Sequence, residues 1–214
     1  MVIYYKTGYQ PGSSEKLLRA ALQDYASKAD GNGACEKENS GSFQIERPQH
    51  GKPYVPGRPD ITFSVTHTQD WWICAVGNAG DGPLGIDAEK KTRPVKKPTA
   101  LARRFFRGEE AARVAKAESG ADAGQPVQAS ASDLFLNIWI RKEAYLKYTG
   151  EGLFGLSGNC TVTFGGQNRM TASDGVMEDE AVEFISIELD KDLYVVLCRR
   201  RESKDKEYIL CRLT

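Results

Sequence analysis

Two stretches of the chain follow the same pattern of strand, polar turn and strand. Residues 64–77 (SVTHTQDWWICAVG) and 186–199 (SIELDKDLYVVLCR) align without a gap at an offset of 122 residues. Each has an aspartate at the same place in its turn, Asp70 or Asp192, before an aromatic-then-aliphatic second strand. Only one serine and one aspartate are identical, so chance is the alternative explanation. The repeat predicts two related α+β halves, each closed by a hairpin of this kind.

Apolar spacing along the rest of the chain predicts a mixture of strands and helices, which is typical of an α+β fold. The predicted helices are 14–28, 100–117 with an interruption at Gly108, and a third within 137–153; the predicted strands are 43–46, 61–68, 71–77 and 84–89. Two polar segments, 30–42 and the low-complexity 118–132, predict connecting loops.

Composition excludes several classes of protein. The chain has 29 basic and 29 acidic residues, so it is not a globally basic nucleic-acid binder. Its longest apolar run, WWICAV, is too short to span a bilayer, and its first residues lack the basic leader of a signal peptide. The five cysteines show no CxxC spacing. We therefore expect a soluble, reduced, cytoplasmic protein with neither nucleic acid nor membrane as a partner.

The predicted helix within 137–153 places a lysine among its core residues. On a helical wheel Lys142 lies near the middle of the apolar face, Glu143 lies at its edge, and Lys147 follows one turn later. A structural interpretation buries the stem of Lys142 and lets Glu143 and Lys147 stabilise the helix by ~0.3 kcal/mol. The functional alternative makes Glu143 a metal ligand or general base and lets both lysines contact phosphate oxygens.

A pair of carboxylates and a basic segment follow one another in the middle of the chain. In GIDAE (85–89) strand alternation places Asp87 and Glu89 on one face, either as a solvated edge or as oxygen ligands for Mg²⁺. Glu109 or Glu110 could add a third carboxylate. Residues 89–116 hold ten basic and three acidic residues, an excess that suits an acidic protein or a polyphosphate, or else a ligand-free basic loop.

A histidine and a lysine near residue 60 are further candidates. Strand alternation puts His67 on the same face as the apolar residues of 61–68, which is typical of a core histidine. The alternative is a phosphate-binding imidazole flanked by the hydroxyls of Thr66 and Thr68. Lys52, in a glycine-proline turn, is either a phosphate ligand or a surface lysine.

Taken in order, six motifs resemble those of one enzyme family. They are GKP (51–53), FSVTHT (63–68), GIDAE (85–89), RRFFRGEE (103–110), WIRKEAYLK (139–147) and GEGL (150–153). This ordered set is similar to the motif series of the 4′-phosphopantetheinyl transferases of the Sfp type. The resemblance implies a monomer built as a pseudo-dimer of two similar α+β subdomains, 1–82 and 83–214, with the active site between them.

The resemblance also implies a reaction and roles for the candidate residues. Family members transfer 4′-phosphopantetheine from coenzyme A to a serine of an apo acyl or peptidyl carrier protein and release 3′,5′-ADP. Mg²⁺, with Mn²⁺ as an alternative ion, would be held by Asp87, Glu89 and Glu110. Glu143 would deprotonate the serine, with Lys147 and Lys142 beside the phosphates. Coenzyme A would also contact Lys52, Thr66 and His67, and the candidates for its 3′-phosphate, by charge alone, are Arg47, Lys28 and Lys6.

The basic segment and the loop at 118–132 would face the carrier protein, whose docking helix is typically acidic. Two other functions fit some of the same residues. A Mg²⁺-dependent nucleotide or coenzyme A phosphohydrolase would also use clustered acids and lysines. A non-catalytic protein could keep the fold in order to bind coenzyme A or a carrier protein.

Overall fold

The computed structural model describes residues 1–29, 43–49, 51–120, 130–152, 182–201 and 207–213, and the backbone of 160–163 and 169–172. The strands are β1 (Val2–Thr7), β2 (Ile61–Thr68), β3 (Trp71–Asn78), β4 (Leu84–Lys90), β5 (Cys160–Thr163), β6 (Arg169–Ala172), β7 (Val182–Ser186), β8 (Leu193–Arg200) and β9 (Ile209–Arg212). The α-helices are α1 (Ser14–Ala29), α2 (Pro98–Phe105), α3 (Gly108–Ser119) and α4 (Ala131–Thr149).

The described strands form two main sheets and one separate pair. The first sheet has the order β2-β3-β1-β9, in which β9 runs parallel to β1 and the other neighbours are antiparallel. The second sheet has the antiparallel order β4-β8-β7, and β5 pairs with β6. Each main sheet therefore contains one of the two predicted hairpins, β2–β3 or β7–β8.

Strand alternation builds three hydrophobic cores in a four-layer arrangement. Tyr4 and Trp72 pack with α1 on one face of the first sheet. Their neighbours in sequence, Ile3 and Ile73, point to the opposite face and pack against the second sheet at Ile86 and other residues of β4 and β8. The far face of the second sheet packs against α2, α3 and α4. The order of layers is thus α1, first sheet, second sheet, and the remaining helices.

The mixed α+β class and most predicted elements are confirmed. The predicted strands at 61–68, 71–77 and 84–89 match β2, β3 and β4, and the helix at 14–28 matches α1. The helix predicted at 100–117 is interrupted at Phe106 and Arg107, and Gly108, with φ of +36°, begins the second segment. This confirms a break beside the glycine.

Other predicted elements differ from the structure. Within the described residues, the predicted strand at 43–46 is replaced by one isolated bridge, between Glu46 and Tyr54. Strand β1, which lies between β3 and β9, was not among the predicted strands. The predicted loop at 30–42 and residues 121–129 of the loop at 118–132 lie outside the described residues.

The division into 1–82 and 83–214, and the description of the two halves as a pseudo-dimer, stay predictions. The last described strand, β9, returns to the first sheet beside β1, so the two ends of the chain meet there. Among the described residues, no helix combines the length and the apolar character needed to cross a bilayer.

Candidate functional site

The candidate site forms where β4 lies directly against α4. At Gly85 in β4, a Cβ atom would lie 1.9 Å from the carbonyl oxygen of Ala144 and 2.5 Å from the amide nitrogen of Tyr148. Because real side chains cannot approach a helix backbone so closely, only glycine allows this contact. The close approach brings the acidic strand GIDAE beside the last turns of α4.

Asp87 and Lys147 meet across this contact. The Lys147 Nζ lies 2.8 Å from Oδ1 of Asp87, and it also donates a hydrogen bond of 3.1 Å to the carbonyl oxygen of Ile86. Asp87 is buried, whereas Lys147 keeps about a third of its side chain exposed. The ammonium group is therefore oriented by the strand and still accessible to a ligand.

A row of hydroxyl side chains on β2 holds the acidic strand from the other side. Thr66 Oγ1 donates to Oδ1 of Asp87 at 2.9 Å, and the backbone N–H of Ile86 donates to Oγ of Ser64 at 3.0 Å. Thr68 hydrogen-bonds the carboxylate of Glu89. These alternate residues of β2 share one face, so the first sheet fixes the positions of both carboxylates on the second.

Three carboxylates repel one another in this region. Burial raises the pKa of Glu143, and the negative charges of Asp87 and Glu89 raise it further, against the opposite effect of Lys147. Burial also raises the pKa of Glu89, where Arg93 acts against the charge of Asp87. The three side chains thus form one electrostatically coupled acidic group, with cationic side chains at its edges.

The carboxylates of Asp87 and Glu89 suit a hard cation that also binds oxygen atoms of a ligand. Within the described parts of the chain, no three His, Cys, Asp or Glu side chains are already gathered as a metal-binding cluster. Mg²⁺ commonly takes only one or two carboxylates and completes its shell with phosphate oxygens and water. Asp87 and Glu89, two repelling carboxylates on one strand face, fit that mode of binding.

Glu110 and Lys142 lie in a buried ion pair instead. The Lys142 Nζ is 3.0 Å from Oε2 of Glu110, and both residues are almost completely buried. Glu110 also accepts the backbone N–H of Arg107 at 3.0 Å, which caps the start of α3. The lysine stands over the ring of Phe106, with 5.6 Å between its Nζ and the ring centroid. The structure joins these two predicted site residues to each other and uses them to connect α3 with α4.

A cavity of about 340 Å³ lies beside the acidic group, between the start of α1, the turn at 51–53, β2 and the end of α4. Four predicted site residues line it, namely Arg47, Lys52, Glu143 and Lys147. A larger cavity of about 630 Å³ lies beside Arg141 of α4 and the β7–β8 turn, and none of the predicted site residues lines it. The smaller cavity is therefore the better candidate for a binding site.

The remaining predicted phosphate contacts have other neighbours in the structure. His67 is exposed on the α1 side of β2 and stacks on Tyr9, with 5.2 Å between the ring centroids. Lys52 donates to two backbone carbonyl oxygens, those of Leu84 and Lys147. Lys28 pairs with Asp24 within α1. Thr66, as described above, donates to Asp87.

Sequence reasoning missed the structural importance of Ser64 and Gly85. Alternation of hydroxyl residues in SVTHT was a usable signal, because Ser64, Thr66 and Thr68 must share a face in any strand. A glycine inside a strand pattern, as at Gly85, indicates either a bulge or a close backbone approach. Neither signal identifies the element that would lie opposite.

Comparisons with known proteins agree with this picture. A family model described as the 4′-phosphopantetheinyl transferase superfamily matches residues 83–198. The chain is 36% identical over 114 residues to a 4′-phosphopantetheinyl transferase from Bacillus subtilis, which covers 52% of this chain and 42% of that relative. It is 32% identical over 105 residues to 4′-phosphopantetheinyl transferase Sfp from Bacillus subtilis strain 168, covering 49% and 40% of the two chains.

A more distant relative is the 4′-phosphopantetheinyl transferase HetI of Nostoc, 31% identical over 118 residues, with 53% of this chain and 44% of the relative covered. The chain therefore spans less than half the length of these curated relatives. The matched region includes β4, α4 and β8, the elements that carry or support the acidic group.

Proposed function

This chain belongs to the 4′-phosphopantetheinyl transferase superfamily, and we propose that it transfers the 4′-phosphopantetheine group from coenzyme A to a serine of an apo carrier protein. The observation that carries the proposal is the convergence of Asp87, Glu143 and Lys147 beside one cavity. A diphosphate substrate needs cationic groups for its oxygens, and a serine nucleophile needs a proton acceptor. This group of side chains supplies both.

In this proposal coenzyme A occupies the cavity of about 340 Å³. Lys147 and Arg47, which line it, would bind phosphate oxygens. Asp87 and Glu89 would hold Mg²⁺, or Mn²⁺, together with oxygens of the diphosphate, and the ion when bound would offset the diphosphate charge. Contacts from Thr66 and His67 to coenzyme A stay predictions; in the structure Thr66 donates to Asp87 and His67 stacks on Tyr9.

The transfer step needs a base, and Glu143 is the proposed one. The serine Oγ of the carrier protein attacks the phosphorus that bears pantetheine, and its proton passes to the Glu143 carboxylate. The bond between this phosphorus and the bridging oxygen breaks, which releases 3′,5′-ADP. The raised pKa of Glu143, caused by burial and then by Asp87, makes its carboxylate a stronger base than an exposed one.

We assign Glu110 and Lys142 to the positioning of α4 rather than to the binding of metal or phosphate. Their buried pair fixes the start of α3 to the middle of α4, directly before Glu143. Such a pair keeps the charged side chains away from a ligand, and so it supports positioning of α4 more strongly than contact with metal or phosphate.

The proposed protein partner is an apo acyl or peptidyl carrier protein. Arginine and lysine side chains of α2, of α3 and of the break between them are exposed, at Arg103, Arg104, Arg107, Arg113 and Lys116. An acidic docking helix would be attracted to this surface, and the attraction would weaken with added salt. We further propose that the protein is a monomer in the cytoplasm, without nucleic acid or membrane partners. Light scattering of the purified protein tests whether it is a monomer.

Intact-mass spectrometry tests the function directly. Apo acyl and apo peptidyl carrier proteins are incubated with this protein, coenzyme A and Mg²⁺, with Glu143→Gln and a chelator as matched controls. A gain of one phosphopantetheinyl group on either carrier, absent in both controls, is the expected result. Cleavage of coenzyme A without transfer would instead indicate a phosphohydrolase, and binding of intact coenzyme A without transfer would indicate a non-catalytic binder.

A further inference from the structure

We infer that Lys52 is a positioning residue, whose ammonium group clamps the last turn of α4 to the first residue of β4 and so holds Lys147 against Asp87. The inference rests on the proposed function for the role of Lys147. It assigns to Lys52 a task different from the phosphate contact that the GKP motif suggested.

The clamp consists of two hydrogen bonds to backbone carbonyl oxygens. Lys52 Nζ donates to the carbonyl oxygen of Leu84 at 2.6 Å and also to that of Lys147. Leu84 is the first residue of β4, and Lys147 lies in the last turn of α4. Carbonyl groups in the last turn of a helix receive no hydrogen bond from a helical N–H group, so they can accept one from a side chain. A cation at this end also interacts favourably with the helix dipole.

Close packing holds the lysine in this place. Gly150, with φ of +80°, caps α4 and donates its N–H to the carbonyl oxygen of Leu146. A Cβ at Gly150 would lie 3.0 Å from Cγ of Lys52 and 3.2 Å from its backbone nitrogen. The turn at 51–53 therefore sits directly on the end of the helix, which leaves the lysine stem little freedom.

The two carbonyl groups belong to α4 and β4, the two elements that carry Lys147 and Asp87. Lys147 accepts from Lys52 through its backbone and pairs with Asp87 through its side chain. Leu84 lies three residues before Asp87 on the same strand. A single ammonium group thus fixes the spacing of β4 and α4, on which the distance of 2.8 Å between Lys147 and Asp87 depends.

The surroundings of Lys52 also differ from those of a phosphate ligand. Burial, together with the positive charge of Lys147, lowers the pKa of Lys52 to about 8. Lys52 lines the cavity and is only partly buried, but a lysine used as a phosphate ligand is expected to be readily charged and to have its ammonium group free for the ligand. Here the protein itself supplies two oxygen acceptors for the ammonium group.

A double-mutant cycle separates positioning from direct binding. Lys52→Met and Lys147→Met are measured singly and together, with Lys191→Met as a matched control at an exposed lysine of the β7–β8 turn. We expect Lys52→Met to lower kcat about tenfold, with a change in KM for coenzyme A below about threefold. In the Lys147→Met background the further loss should be below about twofold, because Lys52 acts through Lys147. Lys191→Met should match the unaltered protein.

Two results would overturn the inference. A raised KM for coenzyme A with unchanged kcat would make Lys52 a direct ligand, and fully multiplicative losses in the double variant would make its effect independent of Lys147. Lys52→Arg, which keeps donors for both carbonyl groups, is expected to retain most of the kcat. If Lys52→Met does not fold, the uncharged and shorter Lys52→Gln replaces it in the cycle.

Hydrogen–deuterium exchange tests the clamp without any assay of transfer. Peptides that cover the last turn of α4 and the start of β4 should exchange faster in Lys52→Met than in Lys191→Met. Unchanged exchange in these peptides would exclude the clamp. If the unaltered protein transferred nothing to carrier proteins, the proposed function would fail, and the exchange experiment would still decide the structural part of the inference.

Discussion

At the scale of single residues, the pKa of Glu143 depends on its burial and on the charges of its neighbours. Burial and the charge of Asp87 raise its pKa above the ordinary value. The folded protein therefore binds this proton more tightly than the unfolded chain does. The contribution of Glu143 to stability is greatest below its unfolded pKa and is lost as pH rises through its higher folded pKa.

We predict that Glu143→Gln raises the free energy of unfolding of the metal-free protein at neutral pH while it abolishes transfer. The substitution removes a buried carboxylate that Asp87 and Glu89 repel. Urea unfolding at pH 4 and pH 7 measures the effect, and the gain should be larger at pH 7. A less stable variant at pH 7, or one with full transfer activity, would contradict the prediction.

At the scale of secondary structure, the contact between β4 and α4 depends on Gly85. We predict that Gly85→Ala lowers the free energy of unfolding by about 3 kcal/mol or more, since its Cβ would overlap the helix backbone and force strand and helix apart. The same movement would separate Lys147 from Asp87, so transfer should fall even at temperatures where the variant is folded. Thermal unfolding and a transfer assay on the folded variant measure both effects; an unchanged melting temperature would argue against the close approach.

The ion pair between α3 and α4 gives a second prediction at this scale. Lys142→Met should lower the free energy of unfolding by about 3 kcal/mol, because it removes the lysine from a buried ion pair and leaves the carboxyl group of Glu110 in the core. Replacing both partners, as in Lys142→Met with Glu110→Leu, should cost less than the sum of the two single changes. Denaturant unfolding of the three variants forms the cycle.

The same variants separate a structural lysine from a phosphate ligand. If Lys142 contacted coenzyme A, Lys142→Met would weaken binding in a salt-dependent way, and the additional change at Glu110 would not restore it. We expect calorimetric binding of coenzyme A to the folded variant to stay within about threefold of that of the unaltered protein.

At the scale of the whole molecule, the acidic group lies where the two sheets and α4 meet. Hydroxyl groups of β2 in the first sheet orient Asp87 and Glu89 on the second, so ligand binding should depend on both sheets. We predict that Mg²⁺ increases the affinity of the unaltered protein for coenzyme A and that Asp87→Ala removes this increase. Calorimetric titrations with and without Mg²⁺ measure this, with Asp192→Ala as the control at an exposed turn aspartate. Equal Mg²⁺ dependence in both variants would remove Asp87 from the proposed metal site.

Several features of this protein follow from local periodicity in the amino-acid sequence. Alternation placed Asp87 and Glu89 on one face of a strand, and helical spacing placed Lys142 among apolar residues. The order of six motifs also indicated the family, which the match over 83–198 confirms. These features could be predicted because strand and helix geometry relates residues only a few positions apart.

The pairing of charged side chains depends on tertiary packing and could not be predicted. Lys142 pairs with Glu110 from another helix, while Lys147 pairs with Asp87, 60 residues earlier in the chain. Lys52 binds the carbonyl oxygens of Leu84 and Lys147, and no side-chain pattern marks a carbonyl group, because every residue has one. The partner of a charged group is set by which distant elements pack against each other, and local sequence carries no information about that packing.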